Sequence, residues 1–128
     1  MLLAGRRLHY LTRAREAQKP SGTPSPLQWS YKESGRTLIS GNLAPTIELN
    51  AWQHVVLVRN AATGQIRGYK NGAAALTSTY SFAPGTTYNV GIGRNPGGNQ
   101  HFKGLIDEVR IYDRALTDSE VLSLFQAG

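Results

Sequence analysis

The side chains able to do acid–base, nucleophilic or metal chemistry are few and scattered: three histidines (His9, His54, His101) and eight acids. Hydrolysis of a glycosidic bond needs two carboxyl groups held roughly 5–5.5 Å or 6.5–9.5 Å apart. Asp107 and Glu108 are adjacent, so a strand directs them to opposite faces. Before them the acids are Glu16, Glu33 and Glu48, in three separate segments. Nucleophilic catalysis by Ser, His and Asp fares no better, because no G-x-S-x-G elbow accompanies any histidine. With no cysteine in the chain, thiolate catalysis, disulfides and cysteine zinc sites are excluded. The residues read as non-catalytic.

What remains is recognition chemistry. Trp29 and Tyr31 alternate on one predicted strand, while Tyr69, Tyr88, Arg94, Asn99 and His101 lie near predicted loops. Aromatic faces that stack on sugar rings, with Asn, Arg and His to bind hydroxyls, would make a shallow ligand surface. The same tyrosines also suit ordinary sandwich positions with hydrated hydroxyls. His54 sits in an otherwise apolar run, where a structural histidine is expected, and Trp52 beside it is expected in the core.

These residues are positioned by strands. Gln53 to Arg59 is β-branched and apolar on both faces, Ala61-Ala62-Thr63-Gly64 is a hairpin loop, and Gln65 to Lys70 returns. Asn71-Gly72 is the strongest turn signal, since a two-residue type I′ hairpin needs positive φ at both positions. Ala73 to Tyr80, Tyr88 to Gly93 and Phe102 to Tyr112 read as further strands, with Asn95 to Asn99 a loop. Along the last strand, strict alternation places Leu105, Asp107, Val109 and Ile111 on one face. Upstream, Leu27 to Lys32, Arg36 to Ser40 and Thr46 to Leu49 are shorter strands, and residues 6–14 form one more. Thr117-Asp118-Ser119-Glu120 is a capping box that opens a single C-terminal helix. The pattern is all-β, a sandwich closed by one helix.

Trp52-Gln53-His54-Val55-Val56, Tyr69-Lys70-Asn71-Gly72, and Phe102-Lys103-Gly104-Leu105-Ile106-Asp107-Glu108-Val109-Arg110-Ile111-Tyr112 followed by Arg114-Ala115-Leu116-Thr117 stand in a recognisable order. Together they resemble the laminin-G-like (LamG-like) jelly-roll domains of the concanavalin A-like lectin/glucanase superfamily, over residues 27–128. The resemblance implies an antiparallel jelly-roll β-sandwich and carbohydrate binding, with an extracellular or cell-surface setting. The alternative is a structural or protein-interaction module with no glycan site. Asp107 resembles the acid that holds a structural calcium ion in some members, and the loop from Asn95 to Gln100 would add oxygens. The alternative role for Asp107 is a cap on a backbone amide or a pair with an arginine.

The 128 residues fit one domain, of which 1–25 match the family least. That stretch reads as an atypical basic segment and the fold as shortened at its N-terminus. The net charge is +6, and residues 1–20 hold five cations against one acid. A charged edge strand or arm is the expectation there, ahead of nucleic acid. Met1 to Arg7 does not read as a secretion signal, because its apolar run is short and its arginines follow it. An incomplete sandwich leaves strand edges open, so a homodimer or larger homo-oligomer is expected.

Overall fold

The computed structural model describes residues 9–16, 27–33, 36–44, 48–79, 92–93 and 101–128. Its elements in chain order are β1 (His9–Glu16), β2 (Leu27–Glu33), β3 (Arg36–Ala44), β4 (Gln53–Asn60), β5 (Gln65–Lys70), β6 (Ala73–Thr79), β7 (Gly104–Tyr112) and α1 (Asp118–Ala127). They form a five-stranded antiparallel sheet in the order β6-β5-β4-β1-β7 and a two-stranded sheet, β2-β3. β3 packs beside β5 and β6. The fold is an antiparallel jelly-roll sandwich with one short C-terminal helix.

The apolar run of β4 is buried on both faces, and register explains how. Val56 pairs with Tyr69 and Val58 with Arg67, so these four share one face. There Val56, Val58 and Tyr69 form a core with Leu116 and Val121, flanked by Tyr112, Ala115 and Leu124. Val55 and Ile66 lie on the opposite face and are buried as well. Each fully buried valine contributes roughly 1.5–3 kcal/mol. α1 has 10 residues, shorter than the ~12–15 at which isolated helices become even marginal, so docking must hold it.

Both hairpins follow the residues. Asn71 (φ 50°) and Gly72 (φ 78°) make the positive-φ pair of the β5–β6 turn. Gly64 (φ 66°) closes the β4–β5 loop, and Asn60 Oδ1 accepts from the Ala62 N–H at 3.1 Å.

Three expectations are corrected. Over His9–Glu16 the basic segment is not an edge or an arm, since β1 lies inside the sheet, paired with β4 on one side and β7 on the other, while residues 1–8 and 17–26 lie outside the described residues. Its arginines hid this, because charge is a common edge device, yet two ladders satisfy its backbone on both sides. The strand expected over Thr46 to Leu49 fails at Glu48 and Leu49, which enter a turn where Asn50 has φ 59°; residues 46 and 47 lie outside the described residues. Buried Gln53 stabilises that turn, accepting from the Glu48 N–H at 3.0 Å and donating to the Glu48 carbonyl at 2.8 Å. Strict alternation along β7 fails too. Leu11 pairs with Arg110 and Arg13 with Asp107, so Glu108 and Val109 together face Thr12 in a β-bulge, with Glu108 at φ 54°. Leu105 and Asp107 therefore share one face, and Ile111 lies on the other.

The strand expected over Tyr88 to Gly93 and the loop over Asn95 to Asn99 lie outside the described residues, apart from a bend at Ile92 and Gly93.

Candidate functional site

The three sequence segments that mark this chain converge on the docking of α1. Thr117 caps the helix, its hydroxyl accepting from the Glu120 N–H at 3.3 Å while Glu120 accepts from the Thr117 N–H at 2.8 Å. Arg114 forks onto Glu120 at 2.8 and 2.5 Å. This ion pair and the amide bond hold the Glu120 carboxyl down at about 2. Asp118 Oδ1 takes the Tyr69 hydroxyl at 2.6 Å and an ion pair from Arg67, which also donates to the Leu116 carbonyl at 3.0 Å. Burial, reinforced by the bond to Asp118, pushes Tyr69 up to about 12.

At the other end of the helix, Leu122 and Phe125 lie on the Asn71-Gly72 turn. A Cβ on Gly72 would meet a carbon of each at 3.0 Å. Asn71 ties the turn to β4, its Oδ1 accepting from the His54 N–H at 3.0 Å and its N–H donating to the His54 carbonyl at 2.8 Å. The buried His54 ring lies 5.8 Å from Phe125, tilted by 40°. The recognisable residues thus build the fold.

Tyr69 is a correction among the candidate ligand residues. It is 1 % exposed, because its position on β5 faces the helix, and it presents no surface to a ligand. Trp52 is a correction in the other sense: expected in the core, it is 42 % exposed. It precedes β4, following the Asn50-Ala51 turn, and lies outside the ladders of the sheet; its place just after a Glu-Leu-Asn turn was the available signal. His101 is exposed, and the Phe102 N–H beside it donates to the Gly93 carbonyl at 2.8 Å. Trp29 and Tyr31 lie on β2, opposite Gly41 and Ile39 of β3. Tyr88, Arg94 and Asn99 lie outside the described residues.

Asp107 is exposed at the β7 bulge, where its Oδ1 accepts from the Glu108 N–H at 2.8 Å. Among the described residues no three His, Asp or Glu side chains stand together as metal ligands. The described residues alone therefore do not fit a calcium ion at Asp107. Among them also, no helix is long and apolar enough to cross a membrane.

A jelly roll whose motifs serve helix docking defines the class, and comparison with known proteins gives the family. Residues 12–122 match the Laminin_G_3 family model, the concanavalin A-like lectin/glucanases superfamily, and the chain belongs to this family. The match includes most of β1, which the motifs alone did not reach. The chain is 30% identical over 102 residues, 77% of its length, to the adhesion G-protein coupled receptor V1 of Danio rerio, and spans 2% of that receptor. Among solved structures it is similar to domain 4 of AbnA, a GH43 extracellular arabinanase of Geobacillus stearothermophilus in complex with arabinotriose. That likeness has a TM-score of 0.66 at 24% identity, covering 98% of this chain and 69% of the other. The native heptameric SAP-like pentraxin of Limulus polyphemus gives a TM-score of 0.60 at 19% identity, covering 94% and 70%.

Proposed function

We propose that this chain is a non-catalytic recognition module that binds carbohydrate. The observation that carries the reading is the likeness, across 98% of the chain, to an arabinanase domain whose structure holds arabinotriose. The ion pairing of four of the eight acids supports the non-catalytic part. Glu48 is paired with Lys70, Glu108 with Arg110, Asp118 with Arg67 and Glu120 with Arg114. A general acid must be free to exchange its proton with a leaving group, and these carboxylates are engaged by cations instead.

Within this reading, Trp29, Tyr31, His101 and the exposed Trp52 are the residues to test first. An extracellular or cell-surface setting belongs to the same proposal. So does a calcium ion at Asp107, with further ligands from residues 95–100; a melting temperature lowered by chelator would support it, and an unchanged one would remove it. The function itself is tested by a glycan array followed by calorimetric titration of arabinotriose and of the array's best ligand. Binding without release of reducing sugar is the expected result. Cleavage of a bound glycan would overturn the non-catalytic reading, and the absence of any glycan binding would overturn the lectin reading.

A further inference from the structure

β7 ends the five-stranded sheet, and among the described residues no strand pairs with its second edge. Such an edge presents unpaired N–H and C=O groups and is a template for another strand. It is also apolar in part: Leu105 is 57 % exposed and Ile111 50 % exposed. The chemistry of β7 is nearly the same read from either end. Leu105-Ile106-Asp107-Glu108 is followed by Val109-Arg110-Ile111-Tyr112, with aliphatic or aromatic residues outermost, the opposite charges Asp107 and Arg110 inside them, and Glu108 and Val109 at the centre.

We propose that this edge binds a second copy of the chain, β7 pairing antiparallel with β7 across a two-fold axis between Glu108 and Val109. In that register Leu105 faces Tyr112 of the other copy, Ile106 faces Ile111, and Asp107 faces Arg110, each contact occurring twice. An isologous interface requires such self-complementarity. Opposite charges and apolar pairs directly across a ladder are the favourable ones.

The bulge makes the register geometrically consistent. Residues opposite each other in a ladder point to the same face. In a regular strand, positions an odd number apart point to opposite faces, so none of these three pairs could form. The pairing of β7 with β1 shows the shift that removes this obstacle. Leu105, Asp107, Arg110 and Tyr112 oppose Arg15, Arg13, Leu11 and His9, alternate positions on one face of β1. Ile106 and Ile111 oppose Ala14 and Tyr10, on its other face. Every proposed pair is therefore matched in face, and the extra residue of one strand meets the extra residue of the other. Arg110, now 2.6 Å from Glu108 of its own strand, has its side chain half exposed and able to reach across.

Sedimentation equilibrium of the 128-residue chain over a dilution series tests the proposal, with Asp107→Arg, Arg110→Asp and the charge-exchanged double variant beside it. The wild type should be a dimer. Each single variant sets like charges opposite each other twice and should weaken dimerisation by on the order of tenfold or more. The double variant should restore it. Asp107→Arg also removes the acceptor of the Glu108 N–H, so melting is recorded for each protein; if that variant does not fold, Arg110→Asp and the double variant decide. A wild type that stays monomeric overturns the proposal. So does a dimer indifferent to the single reversals, or one that the double exchange fails to rescue.

Discussion

The Tyr69 hydroxyl donates to Asp118 Oδ1 at 2.6 Å across 49 residues of sequence, joining the C-terminal end of β5 to the first turn of α1. Arg67, one position along the same face of the strand, pairs with the same carboxylate. The helix is thus located by its N-terminus as well as by its apolar stripe. Tyr69→Phe keeps the ring and removes the bond, and should cost about 1–2 kcal/mol in denaturant unfolding. The same variant should change the alkaline behaviour. Tyr69 is raised from 10.0 to about 12 in the folded chain, so its contribution is complete below pH 10 and is lost as pH rises towards 12. Thermal melts across that window should fall more steeply for the wild type than for Tyr69→Phe; parallel slopes would refute the assignment.

On the acid side, Glu120 contributes. Its carboxyl is lowered from 4.5 to about 2 by Arg114 and the Thr117 amide. The stabilisation it gives is present above pH 4.5 and is lost as pH falls towards 2. Glu120→Gln retains an acceptor for the Thr117 N–H and loses the ion pair. Its melting temperature should approach that of the wild type as pH drops through this range. A constant gap between the two would contradict the account.

Gly72 carries two demands, a φ of 78° and Leu122 and Phe125 atoms 3.0 Å from where a Cβ would sit. Gly72→Ala should destabilise the chain by roughly 1–3 kcal/mol, from left-handed backbone strain plus displacement of the helix. Gly64, also at positive φ, lies in the β4–β5 loop, at the opposite end of β5 from the Gly72 turn on which α1 docks. Gly64→Ala should therefore cost less, about 1 kcal/mol, and equal losses at the two sites in urea unfolding would argue against the helix contact.

What was legible in the sequence is what local chemistry dictates. Asn71-Gly72 is bound to its turn by positive φ, Thr117 and Glu120 to their cap by unsatisfied amides, and Val55 to Val58 to a central strand by being apolar on both faces. Non-local facts were not legible. Nothing in Arg13 or Arg15 tells whether one strand or two will flank them, and only the pairing with β4 and β7 does so. Leu105 to Ile111 carry no glycine or proline to mark an irregularity, so the bulge at Glu108 is invisible without β1 opposite it. Tyr69 looked like a surface aromatic because its partner, Asp118, stands far along the chain. Of the candidate ligand residues, only those left uncovered by such pairings remain available, and Trp52 joins them.

The most direct measurement is calorimetric titration of the purified chain with arabinotriose and with the best ligand from a glycan array, alongside the Trp52→Ala, Trp29→Ala and His101→Ala variants. The account predicts saturable binding of an intact glycan, weakened by on the order of tenfold when a stacking aromatic is removed. Heats indistinguishable from dilution for every glycan, from a chain that melts cooperatively, would contradict it.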